Sequence, residues 1–145
     1  MKKILFIVLT LLILAGCATA GGPGRSDNDS VLTIEDRFFV TQVNQIFADR
    51  QAYLGRTVRY EGIFMSARWG DQDFHYVIRN THGCCGPDGM IGFEVLLGDI
   101  QPPQPNAWVE VVGVLEEVQD EFQTLLVLNT TSLTEMAERG REFVE

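Results

Sequence analysis

The sequence predicts a mainly β domain: one small five-stranded barrel, with a helix before its first strand and a short helix after its last. Three observations predict it. From residue 57 the period changes to two, with Val58, Tyr60, Gly62 and Phe64 alternating against Arg59, Glu61, Ile63 and Met65, and four further short strand segments follow up to residue 129. Two of these segments are long and carry an internal glycine, Gly62 and Gly113, as strands that turn a barrel corner often do. Ahead of them, one segment repeats its apolar residues at spacings of three and four.

That first segment covers residues 33–48. Ile34, Phe38, Phe39, Val43, Ile46 and Phe47 form one apolar stripe. Thr33 is placed to cap the helix, and Glu35 and Asp36 suit the positive end of its dipole. After the connector QAYLG, the five strands follow as TVRYEGIFMS, FHYVIR, MIGFEVLL, AWVEVVGVLEEV and FQTLLVLN. The proline-rich loop QPPQPN stands between the third and fourth. Ser132 and Glu135 have the spacing of a capping box, so a final helix is expected to about Phe143, weakened by Gly140. Five short strands in this order suit an oligonucleotide/oligosaccharide-binding (OB) type barrel, with the proline loop where a helix usually joins strands three and four.

The N-terminus reads MKKILFIVLTLLILAGC. Two lysines precede an apolar run too short to span a bilayer, which needs about 20 residues. Leu14-Ala15-Gly16-Cys17 resembles the lipobox of bacterial lipoproteins. The resemblance implies that residues 1–16 are a signal peptide and that Cys17 is acylated. The chain would then be anchored to membrane lipid in the cell envelope, facing away from the cytoplasm, on the outer membrane if the host has two. Residues 17–30 would be the lipidated cysteine and a flexible tether, and residues 31–145 a single domain. Thirteen tether residues span roughly 20 Å root-mean-square.

Both lysines fall in the signal, so from Cys17 onward nine arginines face twenty acidic residues, a formal charge of −11. Such a surface repels nucleic acid, which is excluded as a partner.

The segment THGCCGPDG carries the candidate chemistry. Pro87-Asp88-Gly89 reads as a three-residue hairpin loop. In that register Cys85 pairs with Ile91, Cys84 with Gly92 and His82 with Glu94. Strand alternation then gathers Cys84, His82 and Glu94 on one face and turns Cys85 toward the core. His82, Cys84 and Glu94, joined by Cys85 if the backbone near Gly83 is irregular, make a candidate zinc ligand set. His75 is a weaker candidate, about 33 Å from Cys85 along a continuous strand. Two other readings stay open. Adjacent cysteines can form a strained vicinal disulfide with a thiol-redox role, or they can simply pack in a turn.

Elsewhere, Trp69-Gly70-Asp71-Gln72-Asp73 reads as a solvated turn, and its aspartates lack the spacing of a calcium loop. Arg59, Arg68 and Arg79 read as paired surface charges. Ser66 has no histidine at a familiar hydrolase spacing, so no enzyme is expected.

YLGRTVRYEGIF resembles the opening of bacterial extracytoplasmic OB-like domains. YVIRNTHGCCGPDGMIGFEV is similar to a Cys-Cys segment in the extracytoplasmic domain of predicted two-component bacterial permease subunits. The likeness covers about residues 53–127 and departs in lacking those subunits' transmembrane helices. Together with the lipobox and the candidate zinc ligands His82, Cys84, Cys85 and Glu94, it leads to the expectation of a lipid-anchored extracytoplasmic binding module that holds zinc and is accessory to a membrane transporter. The alternatives are an envelope interaction or structural protein without metal, or a thiol-redox protein.

Overall fold

The computed structural model describes residues 30–83, 89–120 and 123–145. The expected signal, Cys17, most of the expected tether, Cys84 and Cys85 therefore lie outside the described residues. No helix among the described residues is long and apolar enough to cross a membrane.

The elements run β1 (Leu32–Thr33), a 3-10 turn (Asp36–Phe38), α1 (Phe39–Ala48), α2 (Arg50–Tyr53), β2 (Thr57–Trp69), β3 (Gln72–Thr81), β4 (Gly89–Leu96), β5 (Trp108–Gln119), β6 (Thr124–Glu135) and β7 (Phe143–Val144). Strands β2 to β6 close into a five-stranded barrel in the order β2-β5-β6-β4-β3, with β3 returning to β2. All its pairs are antiparallel except β4 with β6. This closed order, with one parallel seam, is OB-like.

β2 pairs with β5 through Ile63 and with β3 from Ile63 onward. Gly62 sits at that corner, where an added Cβ would lie 2.7 Å from the Ile78 carbonyl oxygen. Inward residues of alternating parity, among them Val58, Tyr60, Phe64, Val77 and Phe93, fill the barrel. Phe39, Val43 and Ile46 of α1 join them. Tyr60 donates to the Val77 carbonyl at 2.8 Å and accepts from the Phe93 amide at 3.4 Å. Burial raises its pKa, so this bridge between β3 and β4 stays protonated.

The expected first helix starts late. Leu32 and Thr33 pair with Val58 and Arg59, so Thr33 spends its backbone on a strand instead of a cap. Of the expected stripe, Phe38 and Phe47 remain about half exposed. Phe47 stacks on Phe93 with centroids 5.2 Å apart.

The expected C-terminal helix is replaced by strand. β6 continues through Glu135, with Ser132 opposite Val112 and Glu135 opposite Val109. The start of β5 needs a partner, and that ladder overrides a local capping signal. Gly140 then lets the chain pass over Trp108, because an added Cβ would meet that ring at 2.7 Å. The chain ends as β7, parallel to Asn80 and Thr81 of β3.

Candidate functional site

The β3–β4 ladder decides which predicted ligands meet. Tyr76 pairs with Glu94, Ile78 with Gly92, Asn80 with Met90 and Thr81 with Gly89. The expected pairing of His82 with Glu94 is therefore wrong by six positions. β3 ends at Thr81 and β4 begins at Gly89, and the expected turn at Pro87-Asp88-Gly89 falls mostly outside the described residues. The barrel causes the shift: β3 must reach far enough along β4 to close against β2. Gly92 pairs with Ile78 and faces the backbone of Val77 and Ile78.

His82 lies at the C-terminal end of β3, where its ring stacks on Phe143 with centroids 4.5 Å apart. Glu94 lies roughly 17 Å further back along the sheet, counting from Thr81 to its partner Tyr76. His82 and Glu94 are not brought together, and Glu94 leaves the zinc set. Cys84 and Cys85 lie outside the described residues. Among the described residues, no three metal-ligating side chains gather. His75 also stays away from the loop, directly opposite Ser66.

That Ser66–His75 pair was missed. Ser66 Oγ lies 2.9 Å from His75 Nδ1, and the imidazole stacks on Phe64. A two-residue turn at Gly70-Asp71 puts the two residues opposite each other. The turn was legible in the sequence, and the pairing followed from it.

The three arginines part company. Arg59 pairs with Glu110 at 2.5 Å and Arg68 with Asp73 at 2.6 Å, both as expected on the surface. Hydrogen bonding within the second pair raises the Arg68 pKa and lowers that of Asp73. Arg79 corrects the expectation, being 1 % exposed. It donates to the Glu61 carbonyl at 2.6 Å, to Asp36 Oδ1 at 2.5 Å and to the Arg141 carbonyl. Its guanidinium lies over the Trp108 and Phe39 rings.

A further candidate is a groove of about 750 Å3 where the β2–β3 hairpin meets the β5–β6 connection. Ala67, Arg68, Trp69, Gln72, Phe74 and Tyr76 line one side, Asp120 and Gln123 the other. Trp69 is 84 % exposed, whereas Trp108 is 3 % exposed. Strand alternation supplies the aromatic wall: Trp69 pairs with Gln72, Ala67 with Phe74 and Met65 with Tyr76, all on one face of the hairpin. The face of the second and third barrel strands, between these two loops, is where OB barrels take ligands. The segment around Trp69 is thus the wall of a groove and more than a solvated turn. The facing loop reaches it only through the barrel's closure, which no local pattern encodes.

Glu94 borders this region from β4, opposite Tyr76. Burial raises its pKa, and Asp120 adds to the rise while His75 opposes it. Burial and Glu94 likewise raise the Tyr76 pKa, so the phenol stays protonated. A carboxylate with a raised folded-state pKa stabilises most at low pH. Its contribution falls as pH rises from the ordinary value of 4.5 through the folded-state value. Glu94→Gln is therefore expected to be slightly more stable than the parent at pH 7. The difference should vanish near pH 4, as read by urea midpoints at both pH values.

The model of one family, described as the DUF1980 C-terminal domain, matches residues 20–144. The chain belongs to that family. No curated protein matches it.

Proposed function

We propose that this member of the DUF1980 C-terminal domain family is a lipid-anchored extracytoplasmic binding module, without enzymatic activity, that takes its ligand in the Trp69 groove. The observation that carries the reading is the groove itself: exposed Trp69 beside half-buried Phe74 and Tyr76, on the ligand face of an OB-like barrel. Its position fits a tethered protein. β1 enters beside Val58, and β2 then runs to Trp69, at most about 36 Å further on. A tether leading to Cys17 would leave from the other end of β2, so the hairpin would point away from the bilayer.

A photo-crosslinking amino acid at Gln72 in the full chain, expressed in its own envelope, tests the reading. A discrete adduct is expected at Gln72 and none at exposed Glu138. Equal, diffuse labelling at both positions would remove the groove as a binding site. Cys17→Ser is expected to move the protein from the membrane fraction to the soluble one.

A second reading has one supporting observation. Thr81 pairs with Gly89, so His82, Cys84 and Cys85 share a single short connection. A soft or borderline cation such as zinc would be held by these three side chains without Glu94, in support of a membrane transporter. Native and denatured intact mass with thiol counting is expected to show one zinc released on denaturation. Two free thiols and no metal after zinc loading would leave only the groove.

A further inference from the structure

We infer that the Trp69 groove binds a neutral, polyhydroxylated chain, a glycan, laid across Trp69 and Tyr76. The inference rests on the groove being the binding site and names the ligand class. The aromatic wall sets the first requirement. Trp69, Phe74 and Tyr76 lie on one face of one hairpin. Small Ala67, opposite Phe74, keeps that wall shallow. Aromatic faces of this kind suit a ligand with flat apolar C–H surfaces as well as polar groups.

The rim sets the second requirement. Gln72 and Gln123 each carry an amide that both donates and accepts, Asp120 accepts and Tyr76 can donate. Hydroxyl groups both donate and accept, so a polyol matches this mixture.

Charge then selects between ligand classes. OB barrels bind oligonucleotides or oligosaccharides on this face. The arginine at the rim, Arg68, is held bidentately by Asp73 at 2.6 and 2.8 Å. Among the described residues lining the groove no unshared positive charge is left for phosphate, and the formal charge of −11 from Cys17 onward repels polyanions. A basic peptide is not repelled by this charge, so oligolysine serves as the competing ligand in the test. An uncharged glycan meets none of these penalties.

The test uses the full chain in detergent, titrated with chitotetraose, cellotetraose and maltotetraose. Acrylamide reaches exposed Trp69 and not buried Trp108, so quenching reports on the groove. At least one glycan is expected to protect Trp69 saturably. Tyr76→Ala should weaken that binding about tenfold or more, with far-UV circular dichroism unchanged. Trp69→Ala, followed by calorimetry, should do the same, and its exposure makes misfolding no concern. Absence of saturable protection by all three glycans overturns the inference, as does protection by oligolysine in their place. A crosslinked protein adduct at Gln72 together with no glycan binding would sink the glycan and keep the groove. Neither adduct nor binding would remove both.

Discussion

Arg79→Met is expected to destabilise the domain by about 4 kcal/mol, seen as a fall in Tm of roughly 15–25 °C by circular dichroism. The methionine keeps most of the apolar stem, so lost volume is not the cause. The loss comes from what the guanidinium holds. It joins the Glu61 carbonyl on β2, Asp36 before α1 and the Arg141 carbonyl ahead of β7. Trp108, under the guanidinium, donates from Nε1 to Glu61 Oε2 at 3.0 Å. One side chain thus ties three chain segments to β3. Burial lowers the Arg79 pKa, and the nearby Asp36 carboxylate opposes that fall, so the group stays charged. Without it, two carbonyls lose a charged donor, at about 1.5–3 kcal/mol each.

Asp36 is half exposed and recovers water when Arg79 is removed, so Asp36→Asn should cost only about 1 kcal/mol. Arg79→Lys should regain less than half of the loss, because a single ammonium cannot span acceptors on three segments. The C-terminal strap offers a local readout. The Asn80 amide donates to the Glu142 carbonyl at 3.0 Å. Its hydrogen exchange should speed up in Arg79→Met beyond what global destabilisation explains. If Arg79→Met unfolds within a few degrees of the parent, the arginine is a passenger in the core.

The barrel was legible because alternation marks the first half of β2, and because Gly62 and Gly113 mark real irregularities. Gly62 is the corner at which β2 changes partners, and the β5–β6 register shifts between Val112 and Gly113. What failed were local signals that lost to long-range pairing. Ser132 and Glu135 have a capping spacing, yet β5 claims them for its ladder. Pro87-Asp88-Gly89 has turn chemistry, yet β3 ends at Thr81 and the connection begins before the proline. Arg79 was misread for its charge, although it has the parity of core residue Val77. The groove escaped for a different reason. Its Trp69 wall is local, whereas Asp120 and Gln123 arrive through the barrel's closure.

Gly92→Ala is expected to cost about 3 kcal/mol or more, which the same register explains. An added Cβ would stand 2.1 Å from the Val77 carbonyl oxygen and 2.9 Å from Ile78 Cα. Both obstacles are backbone, so no rotamer change relieves them. The β3–β4 pair must separate at Ile78–Gly92, losing ladder hydrogen bonds as well as contact. Gly62→Ala strikes the same two β3 residues from the β2 side, at 2.7 Å from the Ile78 oxygen and 2.9 Å from Val77 Cγ1. Its cost should be smaller, about 2 kcal/mol, because one obstacle is a side chain. β3 is therefore held between two strands that carry glycine at the one level where it comes closest. A strand displaced by the first substitution already accommodates part of the second. The double variant, compared by urea unfolding, should lose less than the sum of the two singles. Simple additivity would mean that the two glycines relieve separate contacts. The effect should also reach the groove, because Tyr76 and Glu94 are the next pair but one along the ladder. Prying β3 from β4 admits water to Glu94 and lowers its raised pKa. Carboxylate titration followed by NMR should show that shift in Gly92→Ala and a smaller one in Gly62→Ala.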